Sequence, residues 1–393
     1  MKPSWLDEAP DAVWPQEDDE PNPFVRYRRL LWSWHGAMNA GWSDDSFVAM
    51  VREIDASIRE IDGNGFLITP TRQVDGLAEA GGPARVLAKD ETANVGGSHK
   101  ARHLMGLLLH FAVDAISADV PLAIASCGNA ALGAATVARA AGRSLDVFIP
   151  VWAHAPVVSE LERLGARIHV CERRPGELGD PCMHRLAERV TAGAQPFSVQ
   201  ASVDPRVLDG GKTIGWELAE AMASSDVEAL FVQVGGGALL TSCAAGLIEA
   251  YHHRKLSALP KVFAVQAAGC APLEQAWRGM HTTGGIEERM DDAERRAADL
   301  MVPWPNPTSA ATGILDDETY DWLGVARALL LTGGEPVIAT EDDVQAARVR
   351  AVAAGFNADE TGTAGYAGVF AAMRSRQIDR NSSVAVLMTG ARR

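Results

Sequence analysis

The stretch ARVLAKDETANVGGSHKARHLMGLLLHFAVDAISADVPLAIASCGNAALGAATVARAAG, residues 84–142, decides the fold class. ARVLAK and PLAIAS are short apolar runs of strand length, while SHKARHLMGLLLHFAVDA and NAALGAATVARAAG have helical length, the second closed by Gly142. Strands alternating with helices of this size describe crossover units around a parallel sheet.

Downstream the rhythm continues through LDVFIP with VVSELERLG and RIHVC with CMHRLAERVTAG. FSVQAS, residues 197–202, is the next expected strand, leading through DPRVLDGGKT into the helix IGWELAEAMAS. The alternation restarts with VEALFVQV, the turn GGGA, the helix LLTSCAAGLIEAYHH and the strand KVFAVQAA. Residues 274–318 break it with the charged GIEERMDDAERRAAD and the proline-containing MVPWPNPTSAATG, as a lid, an oligomer arm or a surface excursion would. YDWLGVARALLL, EPVIAT and a last strand, SVAVLMTG, follow. Upstream, WSDDSFVAMVREIDASIREI places Asp44 or Asp45 at a helix start, and ITPTRQVDGLAE is expected to end that element through Pro70 and open a short helix. Residues 1–24 read as an acidic leader that is flexible or wraps the surface.

With 393 residues, 47% of them hydrophobic, the chain can bury two adjoining cores. A balance of 36 Lys and Arg against 51 Asp and Glu gives a net charge of -15 and no basic patch, so neither nucleic acid nor an anionic membrane is an expected partner. The absence of an apolar signal core or a stretch of 18 apolar residues points to a cytoplasmic protein. Five dispersed cysteines without CxxC spacing predict neither a metal site nor a disulfide framework.

Four places carry chemistry. Gly96 and Gly97 permit a tight turn, Ser98 is placed to cap the next helix, and Lys100 falls in its first turn, where the helix dipole disfavours a cation. Ser126, Cys127, Gly128 and Asn129 form a strand-to-helix turn whose N–H groups suit a carboxylate; the plain alternative is a turn with an Asn cap. Gly235, Gly236 and Gly237, followed by Ala238, form a turn after a buried strand that suits a phosphate, without a dinucleotide or nucleotide-loop fingerprint. Thr389 follows the terminal strand.

In this order, KDETANVGGSHKAR, ASCGNAALGAAT, VQVGGGALLTS and LMTGARR resemble the fold-type II pyridoxal-phosphate enzymes, the tryptophan synthase β superfamily, which includes threonine synthase and the serine and threonine dehydratases. The resemblance implies an α/β fold of two three-layer domains with the cofactor between them, a smaller one at 90–210 and a larger one combining 25–89 with 211–393. It further implies Lys100 as the Schiff-base lysine and Asn129 facing the cofactor's 3′ oxygen. Residues Gly235, Gly236, Gly237 and Ala238 would form the phosphate cup, with Thr389 beside the pyridine nitrogen. Thr92, Ser126, Cys127, Gly128 and Asn129 would receive an amino-acid substrate, and a homodimer is expected.

ITPTRQV resembles the family's Thr-Pro turn before the cofactor lysine, DGGKTIGWELAE a segment common in threonine synthases and dehydratases, and FVRYRRLL the threonine synthase entry segment, but VWAHAPVVSELERLGARIHV lacks the lysine often found there in threonine synthases. The implied activity is α-proton abstraction with β- or γ-elimination, with or without replacement, in a lyase or synthase similar to threonine synthase. Ammonia-lyase, dehydratase, racemase and non-catalytic cofactor-binding readings stay open. A γ-phosphate substrate would need a second anion site, for which Arg102, His103, Arg143 and Lys212 are candidates. His99 either positions phosphate, exchanges a proton or supports the ring by packing, Cys127 either shapes the loop or reacts, and Glu335 either faces the ring or the substrate or is a buried turn support.

Overall fold

The computed structural model describes residues 7–16, 19–78, 82–177 and 179–392. Among these run ten strands: β1 (Thr71–Gln73), β2 (Arg85–Asp90), β3 (Leu122–Ala125), β4 (Leu145–Pro150), β5 (Arg167–Cys171), β6 (Gln195–Pro196), β7 (Ala229–Gln233), β8 (Lys261–Ala267), β9 (Pro336–Ala339) and β10 (Ser383–Met388). The chain divides into two compact units, Met1–Ile68 with Ala93–Thr213, and Thr69–Thr92 with Ile214–Arg393. Among the described residues no helix is long and apolar enough to cross a membrane.

The first unit holds a parallel four-stranded sheet in the order β5-β4-β3-β6. LAIA is a continuous apolar run, and LDVFIP is broken only by Asp146, whose carboxylate is bonded to Arg167, His169 and Arg189; a parallel sheet covered on both faces leaves no solvent face to impose alternation. From β3 the chain advances through β4 to β5, then returns to place β6 on the other side of β3. The order therefore reverses at β3, and open α/β sheets bind ligands beyond the carboxyl ends of their strands at such a reversal. The strand expected at 197–202 lies two residues earlier. Gln195 N–H donates to Pro121 O and Phe197 N–H to Ala123 O, after which the chain turns with Gln200 N–H on Ser198 Oγ.

The helix expected to start at Ile214 begins at Val207 and runs to Met222. Glycines in DGGKT read as breakers, yet Gly210 lies inside the helix where it crosses the Lys100–Val113 helix backbone to backbone. A Cβ on Gly210 would sit 2.1 Å from Arg102 O, and one on Gly106 would sit 2.4 Å from Gly210 N, so only glycine fits at either position.

Residues 25–68 belong to this first unit, which corrects their expected place beside residues 211–393. The anchor is Asp209, a fully buried carboxylate that accepts the N–H groups of Trp32 and Ser33, each at 3.0 Å, and His110 Nε2 at 3.0 Å. It caps the Trp32–Asn39 helix from 176 residues away. Asp62 Oδ1 likewise accepts Gly96 N–H at 3.1 Å. The acidic leader is held by buried Ala9 and Trp14, the latter edge-on to Tyr27. The Asp44–Asp62 helix, capped by Ser43, ends at Gly63 with φ +88°, not at Pro70. Pro70 instead leads into β1, which pairs antiparallel with β2 before a 3-10 turn at Asp75–Leu77.

The second unit holds six strands in the order β1-β2-β10-β7-β8-β9, parallel apart from β1. Every residue of β10 is buried, because it lies in the middle of the sheet between β2 and β7. Burial of Val384, Val386 and Leu387 contributes about 1.5–3 kcal/mol each. From β7 the chain advances outward through β8 to β9, while β10 lies on the other side of β7. The order reverses there, which makes the carboxyl ends of β7 and β10 a second place of this kind. The 274–318 excursion contains the Ile286–Arg295 helix, docked on the Trp322–Thr332 helix through Arg327 and Glu287 at 2.8 Å, and an irregular return.

Candidate active site

In the first unit, two helix N-termini converge. Asn94 takes Val95 N–H on its side chain and Gly97 N–H on its carbonyl, and Gly96 and Gly97 both adopt φ +64°. The chain then enters the Lys100–Val113 helix with half-buried Lys100 as its first residue. Ser98 does not cap this helix. Its backbone is extended, and its buried Oγ has no hydrogen-bond partner among the described residues. The neighbouring Asn129–Ala140 helix packs here through Gly133, where a Cβ would lie 3.3 Å from Ala101 N. Asn129 is four residues, about 6 Å of helix rise, before that contact.

Asn129 is the first helical residue, and Gly128 takes the cap position without a side-chain bond, which corrects the Asn-cap alternative. The half-buried turn Ser126, Cys127, Gly128 leaves β3 at the order reversal, with Gly128 N–H 3.4 Å from Ser126 Oγ and open space where a Gly128 Cβ would stand. First-turn N–H groups have no intrahelical acceptor, so this end of the helix is suited to a carboxylate. Burial, and less strongly the Asp180 charge, raise the Cys127 thiol above its usual value, which favours a shaping role over a nucleophilic one.

In the second unit, Gly235, Gly236 and Gly237 follow β7 at the other reversal. Gly237 has φ +106° and caps the Ala238–His252 helix, and a Cβ there would meet Val325 Cγ2 at 2.9 Å. Ala238 is buried as the first helical residue. Thr389, at the end of β10, is brought to the same edge by Gln233. The Gln233 amide donates to Thr389 Oγ1 at 2.5 Å and to Gly362 O at 3.0 Å. As acceptor in that bond, the Thr389 hydroxyl turns its own hydrogen away from Gln233. Gln233 is a site residue the motif reading missed; its signal was a polar residue closing an otherwise apolar strand beside the glycine turn.

Thr92 belongs to the second unit, where its N–H and hydroxyl both bond Asp90 Oδ1, at 3.0 and 2.6 Å. Beneath this segment lies a buried network. Lys89 Nζ donates to Glu217 Oε2 at 2.7 Å and Thr69 O at 3.0 Å, Thr69 N–H donates to Glu217, and the Thr69 hydroxyl donates to Glu91.

The candidate anion residues are engaged elsewhere. Buried Arg102 bonds Thr213 Oγ1, His103 bonds Val207 O, Lys212 donates to Asp7 O, and Arg143 donates to Ser117 O and Val120 O. His99 is buried edge-on to His103, with ring centroids 5.8 Å apart, in accord with the packing role. Glu335 is neither at the ring nor a buried turn support. It is exposed before β9, at the amino end of that strand, and accepts Gln377 Nε2 at 2.7 Å.

These residues fit pyridoxal phosphate. A positive-φ glycine turn at a helix start suits its phosphate, an orphaned Ser98 hydroxyl lies two residues before an amine on Lys100, and a Thr389 hydroxyl held by Gln233 suits a ring nitrogen. The family model described as pyridoxal-phosphate dependent enzyme matches residues 64–390. The chain is 28% identical over 197 residues to an L-serine dehydratase of Saccharomyces cerevisiae, covering 48% of this chain and 57% of the relative. It is 27% identical over 269 residues to the threonine synthase of Mycobacterium leprae, covering 68% and 66%. In each case it spans less than two thirds of the relative's own length. Among solved structures, threonine deaminase isoform 2 of Solanum lycopersicum shares the fold with a TM-score of 0.66 at 19% identity, covering 89% of this chain and 86% of that one. With one family model running from before Lys100 through Thr389, this chain belongs to the pyridoxal-phosphate dependent enzymes.

Proposed function

We propose that the protein is an ammonia-lyase: it removes the α-proton and a β substituent from a small amino acid such as serine, threonine or diaminopropionate, ending in a keto acid and ammonia. The observation that carries this reading over a threonine synthase reaction is the fate of the four basic candidates. Arg102, His103, Lys212 and Arg143 are all buried, and each is bonded to a hydroxyl or main-chain carbonyl of the protein itself, which speaks against their being supplied to a substrate γ-phosphate. The names of the yeast and tomato proteins point the same way.

Bound pyridoxal phosphate supplies the electron sink for the negative charge left at Cα. The chain supplies the rest. N–H groups at the start of the Asn129–Ala140 helix, with Ser126, bind the substrate carboxylate and orient Cα. Lys100 Nζ takes the α-proton, and the β substituent leaves with its bonding electrons. Thr389 offers the ring nitrogen a neutral hydroxyl, which leaves that nitrogen less fully protonated than a carboxylate would.

The test is a visible absorption titration of the holoenzyme with serine, threonine, diaminopropionate and O-phosphohomoserine, followed by assays for keto acid, ammonia, threonine and the substrate enantiomer. Keto acid and ammonia in a one-to-one ratio from serine or threonine, or one-to-two from diaminopropionate, lost in Lys100→Ala, are expected. Threonine formed from O-phosphohomoserine, or inversion of serine without keto acid, would overturn the proposal.

A further inference from the structure

The return of the 274–318 excursion crosses the glycine turn after β7. It is tied down on both sides, by Gly313 N–H on Thr361 Oγ1 at 2.9 Å and by Asp321 N–H on Gly236 O at 2.7 Å. Between these anchors, residues 315–321 form neither helix nor strand. The strap lays Asp316 against the turn: its Oδ2 would stand 2.6 Å from a Cβ on Gly235 and 3.6 Å from one on Gly236. Cys270 Sγ donates to the Asp316 carbonyl at 3.2 Å, which fixes the backbone behind the carboxylate. The two residues that follow, Asp317 and Glu318, are acidic as well, so the strap brings negative charge to the turn.

A glycine turn opening a fifteen-residue helix attracts anions, and it does not distinguish a carboxylate from a phosphate. Both seek the same N–H groups and repel each other when close. We propose that Asp316 guards the phosphate cradle: its carboxylate competes with the cofactor's phosphate for the turn, and the strap withdraws it when phosphate seats. This rests on the assignment of residues 235–237 as the phosphate site. Cofactor affinity is then set by this chain's own strap as well as by the imine-forming lysine.

The experiment separates phosphate from aldehyde. Apoprotein, prepared as wild type, Asp316→Asn and Asp316→Ala, is titrated calorimetrically with 4′-deoxypyridoxine 5′-phosphate, which has the ring and phosphate but no aldehyde for Lys100, and with pyridoxine, which has no phosphate. Both variants should bind the phosphorylated compound at least tenfold more tightly than wild type, with pyridoxine changed less than twofold. A gain of affinity cannot come from a misfolded variant. Equal or weaker binding of the phosphorylated compound by both variants overturns the guard. Wild type that takes the phosphorylated compound no better than pyridoxine, with variants that behave likewise, overturns the assignment of the turn itself.

Discussion

Gly210→Ala tests the helix crossing that positions Lys100, because two physical effects there have opposite signs. By helix propensity alone, alanine in a helix interior stabilises by about 1 kcal/mol over glycine. By packing, the new Cβ would lie 2.1 Å from Arg102 O, 2.8 Å from Gly106 Cα and 2.9 Å from Gly106 N. Carbon contacts are most favourable at about 3.5–4.0 Å, so the helices must separate by roughly 1 Å or more. All three obstacles are backbone atoms, which no rotamer change can move. Overpacking of this kind costs about 1–3 kcal/mol and occasionally more. The short approach places this site at the upper end, for a net loss of about 2 kcal/mol. With a urea m-value of about 2–3 kcal/mol/M, the unfolding midpoint should fall by roughly 0.7–1 M. The displaced helix starts at Lys100, so cofactor affinity should fall in parallel. A midpoint that rises, as propensity alone dictates, would refute the packing argument.

Asp209→Ala removes the acceptor of two backbone N–H groups and of His110, and should cost about 3 kcal/mol at pH 7 in urea unfolding. Burial acts to raise the Asp209 pKa, but the His110 bond and charge, the Lys212 charge and Ser33 N–H together lower it below the ordinary carboxylate range. The contribution is thus complete above the unfolded carboxylate pKa and lost as pH falls through the lower folded one. The gap between wild type and variant should shrink only under strong acid. Lys89→Met strands Glu217 without its buried cation and should destabilise by about 3–5 kcal/mol, with at least half recovered in Lys89→Met/Glu217→Leu; no recovery would show that the pair is not the seat of the loss. Gln233→Leu removes the donor to Thr389 and should weaken cofactor binding about fivefold, read by absorption titration, with near-UV circular dichroism unchanged.

The parallel cores were legible in the sequence because β3, β4, β7, β8 and β10 are largely buried and read as predominantly apolar runs without alternation. Residues 25–68 were misassigned because their anchor, Asp209, acts across 176 positions through backbone N–H groups, which leave no local periodicity. Gly210 reads as a breaker to any argument that sees one helix, and its reason is the second helix. The placement of the glycine turn and of Lys100 at helix starts was legible because it follows from local backbone signals. Gln233 and Asp316 were not, because each acquires its role from a contact partner distant in the chain. Glu335 misled because sequence proximity to a glycine pair says nothing about which end of a strand it occupies.

The central place of β10 also dictates an order of events during synthesis. β2, at residues 85–90, has β10, at residues 383–388, as its parallel neighbour. At about 5–20 residues per second, a ribosome makes the second strand roughly 15–60 seconds after the first. Through that interval only β1 is available to pair with β2, whose other edge stays open while Val86 and Ala88 lack their final cover. The first unit has all its residues by Thr213 and is free to fold meanwhile. Translation pace and chaperone supply should therefore govern the yield of this protein more than the final stability of its sheet, and slower, cooler expression should help only if it shields that waiting strand.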